Sequence, residues 1–142
     1  MIAFPALDNG KPESSPTDLV RARVRWLTDD QVRILFVDVS HLRHASDVIA
    51  VLEGAKQPPG VLEPISICSL ADVTGAIFTT AVVRTARELI EHNRPYVRAG
   101  AVVGLSPLQR AVYDIIVRRT RRGNLHPFDV LPEAVRWLKE HA

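Results

Sequence analysis

The run Asp72-Val73-Thr74-Gly75 sets a carboxylate, a hydroxyl and a glycine side by side, and Thr79-Thr80 follow shortly after. These residues lie between an apolar, strand-like stretch and a helix-like one, so the hydroxyls fall near a helix start. A phosphate added there would meet free N–H groups and the positive end of the helix dipole. It would also bring nearly two negative charges to a surface otherwise suited to docking. The same residues suit a plain Asx-type turn with Thr79 as N-cap. Both readings stand at the level of sequence.

Other chemistry has less to rest on. Gly104-Leu105-Ser106 begins like a nucleophile elbow, but Leu108 occupies the place of the closing glycine. Ser106-Pro107-Leu108-Gln109 reads instead as a capping box with proline at the first helical position. An enzyme built from His41, Asp72 and Ser106 would need those three groups within hydrogen-bonding reach. His41 and His44 are spaced for one helical face, but no Cys-x-x-Cys or His-Glu-x-x-His accompanies them, so no metal is expected. No G-x-G-x-x-G opens a crossover and no Gly-Lys-Ser/Thr follows a strand, so no nucleotide cofactor is expected either. Cys68 lies mid-strand between Ile67 and Ser69 and reads as a buried structural thiol.

The elements that must position these residues follow from periodicity. Residues 1–20 hold Pro5, Pro12 and Pro16, with Asn9-Gly10 and Ser14-Ser15, and read as a flexible arm. Arg21 to Trp26 alternates polar and apolar, placing Arg21, Arg23 and Arg25 on one face of a first strand. Val32 to Val39 is almost continuously apolar, as a strand covered on both faces should be. A helix over about Ala45 to Lys56 is stopped by Pro58-Pro59-Gly60. A strand over Ile65 to Ala71, a helix over about Thr79 to His92 and a strand over Val97 to Gly104 come next. A helix opened by Ser106, a short strand at Leu125 to Phe128 and a helix over about Pro132 to Glu140 complete the order. This β-β-α-β-α-β-α-β-α order predicts a single α/β domain over residues 21–142. Its expected architecture is a mainly parallel sheet of about five strands, opened by an antiparallel hairpin and covered by four helices. Function in such sheets sits beyond the carboxyl ends of the strands, where Ser40-His41, Asp72 to Gly75 and Gly104-Ser106 lie.

Composition agrees. The chain has 142 residues, 46% hydrophobic and 24% charged, enough for one core and unlike a disordered chain or a coiled coil. The lone cysteine suits a reducing cytoplasm, and no basic-then-apolar leader is visible at the N-terminus. The net charge of +2 hides an asymmetry: residues 1–83 carry seven basic and ten acidic side chains, residues 84–142 eleven and six. Arg118, Arg119, Arg121 and Arg122 cluster at one helix end, where cations complement the dipole. As a patch they suit an anionic partner, although a dedicated nucleic-acid binder is not expected from +2.

Several stretches together resemble a known family. They are Ile34 to Asp38, Leu70 to Gly75, Arg94 to Val97, Ala101 to Leu105 and Glu133 to Leu138. The chain from about Arg21 to Ala142 resembles the STAS-like domains: the anti-sigma-factor antagonists, and the group related to sporulation antagonists and the CRAL-TRIO lipid-transfer fold. The resemblance implies a non-enzymatic, cytoplasmic, bacterial signal-transduction module that binds an anti-sigma factor of the serine-kinase type. In that family an Asp-Ser-Ser-Gly loop is phosphorylated to switch binding off. Asp72 matches the acidic position and Thr74 the hydroxyl before glycine. Val73 departs from the first serine, and Ala76-Ile77-Phe78 lengthens the path to the helix. The expected partner-binding loop is therefore Asp72, Thr74, Gly75, Thr79 and Thr80. The lipid-transfer relatives imply an alternative, a carrier of a lipid or apolar ligand, with Val48, Leu52, Ile77 and Phe78 lining a pocket. The arginine-faced edge strand and the arm leave a homodimer open.

Overall fold

Ser15 and Pro16 open the described chain with the same serine–proline pairing that marks Ser106. The computed structural model describes residues 15–56, 63–120 and 124–142. Helix α1 (Pro16–Arg23) begins with Ser15 Oγ accepting the Asp18 N–H at 3.2 Å. Then follow β1 (Val24–Asp29), β2 (Val32–Asp38), α2 (Ala45–Ala55), β3 (Ile67–Asp72), α3 (Thr80–Asn93), β4 (Val97–Val103), α4 (Pro107–Thr120), β5 (Leu125–Phe128) and α5 (Leu131–His141). The sheet order is β1-β2-β3-β4-β5, with β1 antiparallel to β2 and every other pair parallel.

The described helices number five, where the sequence predicted four. The extra one is α1, over residues expected to end an arm and begin a strand. The alternation Arg21-Ala22-Arg23 misled because three residues cannot separate a period of 2 from one of 3.6. Arg21, Arg23 and Arg25 consequently share no strand face. Arg21 pairs with Asp18 at 3.5 Å, and Arg25 lies over the Phe36 ring. Arg23 donates to the Ser40 carbonyl at 2.9 Å and pairs with Asp38. Val20 of α1 packs against Gly54 of α2, where a Cβ would collide with it. Pro58-Pro59-Gly60, Arg121, Arg122 and residues 1–14 of the arm lie outside the described residues.

β1 and β2 join through Asp30 and Gln31, both at positive φ, as the tight turns that suit sheet twist require. Lys139 of α5 clamps this turn, 2.9 Å from Asp30 and 3.5 Å from Asp29. The Asp30 hydrogen bond holds its ammonium above the ordinary lysine range.

Two cores flank the sheet. Leu35, Val37 and Val39 face α2 and its Val48, Val51 and Ala55, with Leu19 of α1 and Leu89 of α3 alongside. Ile34, Phe36, Cys68, Leu70, Ala99, Ala101 and Val103 face Ala134 and Leu138 of α5. Four successive buried residues in β2, Ile34 to Val37, follow from this double covering. Pro127 sits in edge strand β5, where its missing N–H breaks no inner ladder. No described helix is long and apolar enough to cross a membrane.

Candidate functional site

The parallel register places Asp38, Asp72 and Val103 side by side at the carboxyl ends of β2, β3 and β4. The chain segments that leave these strands stay knitted together. Val39 donates to the Asp72 carbonyl at 3.0 Å, Val73 to Val103 at 2.9 Å and His41 to Thr74 at 2.8 Å. The ladder thus runs on past the strands into the crossovers, and the loops at this edge share one backbone frame.

Two of these crossovers are built alike. In Asp38-Val39-Ser40-His41, the Asp38 Oδ1 accepts from both the backbone N–H and the hydroxyl of Ser40. In Asp72-Val73-Thr74-Gly75, Asp72 Oδ1 accepts from Thr74 N at 3.0 Å and from Thr74 Oγ1 at 2.7 Å. The fourth residue of each run turns left-handed: His41 at φ 60° and Gly75 at φ 67°. A carboxylate that bonds its own chain two residues on makes an Asx turn, and left-handed backbone continues it. The sequence placed both copies at strand ends but showed only the second as an Asx turn, because His41 hid the left-handed position that Gly75 advertised.

The two crossovers also touch. A Cβ on Gly75 would stand 2.7 Å from His41 Nδ1, so glycine is needed for space as well as for φ. Gly104, at φ 92°, lets the end of β4 pass against Thr74; a Cβ there would meet the backbone N and Cα of Thr74 at 2.8 Å. Thr74 is thus held from below by Asp72, from one side by His41 and from behind by Gly104. Its side chain remains exposed, as does Gly75.

Thr79 and Thr80 play different parts from Thr74. Thr79 Oγ1 accepts the Val82 N–H at 3.2 Å and is the N-cap of α3, while Thr80 is exposed as the first helical residue. Gly75 to Phe78 separate Thr74 from that cap, so Thr74 sits on the loop and not at the helix start. Removing the cap has a modest expected cost: Thr79→Ala lowers unfolding stability by about 1 kcal/mol in urea titration. An unchanged midpoint would show that water replaces the cap at no cost.

The remaining candidates fall elsewhere. Ser106 completes the expected capping box: it donates its N–H to Gln109 Oε1 at 2.9 Å, and Gln109 N donates to Ser106 Oγ at 3.2 Å. Asp72 is committed to its own loop, and His44 precedes α2 as a cap residue without a side-chain bond. Among the described residues, no group of three or more His, Cys, Asp or Glu could hold a metal ion. Cys68 is buried, and burial pushes its thiol above the ordinary range, which leaves little thiolate for reaction. Arg118 and Arg119 are exposed in the last turn of α4, while their expected companions Arg121 and Arg122 lie outside the described residues. Leu52 and Phe78 line an apolar cavity of about 130 Å³ between the sheet and helices α3 and α4. Val48 and Ile77 belong instead to the core beside α2.

No protein-family model and no curated protein matches this chain. Among solved structures it is similar to an uncharacterized protein of the DUF3478 family from Shewanella loihica, described as having a SpoIIAA-like fold. That match covers 81% of this chain and 91% of the other, with a TM-score of 0.58 and 20% identity. The fold is SpoIIAA-like. A looser likeness joins it to an anti-sigma-factor antagonist (STAS) domain protein from Planctomyces limnophilus, over 82% of this chain and 98% of the other, with a TM-score of 0.44 and 15% identity. A likeness of fold by itself assigns no partner.

Proposed function

We infer that this domain is a regulatory protein-binding module of the anti-sigma-antagonist kind, with Thr74 as the residue whose modification switches it. The observation that carries the reading is the cradle around Thr74. An exposed hydroxyl is presented on a backbone fixed by three strand ends, and its proton is given to Asp72 at 2.7 Å. A protein kinase of the partner type would transfer the terminal phosphoryl group of ATP to Thr74 Oγ1, releasing ADP and the hydroxyl proton. The new dianion would then face the Asp72 carboxylate it had been bonded to. Like charges at that separation repel, and the Asx turn loses one of its two bonds. The loop must rearrange, and a partner docked on it would be released. Nothing in this scheme asks the domain to catalyse a reaction of its own.

The test uses the whole chain with an anti-sigma-type serine kinase and ATP, read by intact mass and by partner capture. One phosphate is expected on the wild type and none on Thr74→Ala. Phosphorylated protein, and Thr74→Asp, should bind the partner at least about tenfold more weakly. Modification of Thr80 alone would move the switch to the helix start. No phosphate on Thr74, Thr79 or Thr80, with capture by Thr74→Asp unchanged, would end the reading.

A further inference from the structure

The apolar cavity and its entrance describe a ligand site that meets the 72–80 segment through Val73, Phe78 and Thr80 but does not use the exposed Thr74 side chain. The cavity lies where the sheet offers the small residues Ser69 and Ala71 of β3 and Ala101 of β4, and Leu125, which fills the space above Gly100, forms part of its wall. With no bulk rising from the sheet there, and Ala86 opposite on α3, about 130 Å³ remains open among Leu35, Val37, Leu89 and Ile116. An apolar space of this kind stays dry and takes up apolar molecules; one of roughly 150 Å³ accepts benzene.

A second hollow, of about 220 Å³, runs between α3 and α4 and shares Val83 and Ile116 with the cavity. Its lining includes Arg84, Arg87 and Arg119 and no carboxylate. Arg84 and Arg87 are one turn apart on α3, and Arg119 meets them from α4. All three are exposed, and none is ion-paired among the described residues. Guanidinium groups gathered without a counter-charge raise the local potential and favour a planar oxyanion. A greasy chamber leading to such a rim matches a molecule with an apolar body and one anionic end.

We propose that this cleft binds an organic carboxylate with a short apolar chain, the carboxylate held by Arg84, Arg87 and Arg119 and the chain lying in the cavity. The cavity volume limits the buried part to about the size of benzene. Long-chain lipids are too large to be enclosed.

Octanoate is the probe, titrated into the full chain by calorimetry and by backbone amide shifts. Saturable binding is expected, with the largest shifts in α3, α4 and around Gly100. Octan-1-ol and octylammonium should bind at least about tenfold more weakly, since neither carries the anion. The combined variant Arg84→Gln, Arg87→Gln, Arg119→Gln changes only exposed side chains. It should keep the wild-type melting curve and lose at least about tenfold in octanoate affinity. Ala86→Leu, which intrudes into the cavity, should weaken octanoate and octanol together. Equal affinity for octanoate and octanol, undiminished binding by the triple variant, or no saturable binding to folded wild type would each overturn the proposal. Thr74→Asp should bind octanoate as the wild type does, so failure here leaves the loop's role untouched.

Discussion

Gly104→Val is expected to cost at least about 3 kcal/mol of unfolding stability, a large part of the total for a domain of this size. Two effects add. At φ 92° a β-branched residue occupies backbone space that L side chains avoid, and the new Cβ stands 2.8 Å from the backbone N and Cα of Thr74. Thr74 cannot retreat, because its N–H is held by Asp72 and its carbonyl accepts from His41. Gly104→Ala should retain most of the loss, since the clash begins at Cβ. Urea unfolding of both variants provides the measurement. A loss below about 1 kcal/mol in the valine variant would mean that the β4 end and the Thr74 loop are free to separate.

Leu138→Ala is expected to cost between about 2 and 5 kcal/mol. Leu138 is 0% exposed, and α5 supplies all the helical residues in its core among those described. No second helix there can move in to fill the space, so the cavity term should be near the upper end of its usual range. A coupled readout follows from Cys68, whose Sγ lies 4.0 Å from the Leu138 carbonyl oxygen. The carbonyl remains in the alanine variant, but loss of the Leu138 side chain from the core it shares with Cys68 should admit water and speed the reaction of Cys68 with an aromatic disulfide reagent. Unchanged stability together with an unchanged thiol rate would show that α5 closes over the gap.

Much of the scaffold could be read along the chain. The Ser106-Pro107 start of α4 and the Leu125 to Phe128 strand appear where pattern placed them, and the doubly covered run expected over Val32 to Val39 forms the strand Val32–Asp38. These features are local, written in capping chemistry and in hydrophobic runs. Helix α1 was missed although Ser15-Pro16 carries the same signal as Ser106-Pro107. Pro5, Pro12, Asn9-Gly10 and the absence of either periodicity argued for an arm, and the helix is stabilised chiefly by Val20 and Leu19 meeting α2 and the core.

Of the site, the sequence determined the residue types and their order: Asp72, Thr74 and Gly75 on a crossover, and Thr79 as a helix cap. It did so because a turn and a cap are decided within four residues. It could not determine that Asp38-Val39-Ser40-His41 repeats the same turn alongside. It could not show either that Gly104 supports Thr74, or that a cavity beside Ser69 and Ala71 shares Val83 and Ile116 with the hollow lined by Arg84, Arg87 and Arg119. Those facts join strands and helices far apart in the chain. They depend on parallel register and on packing, which exist only once β2, β3 and β4 lie side by side.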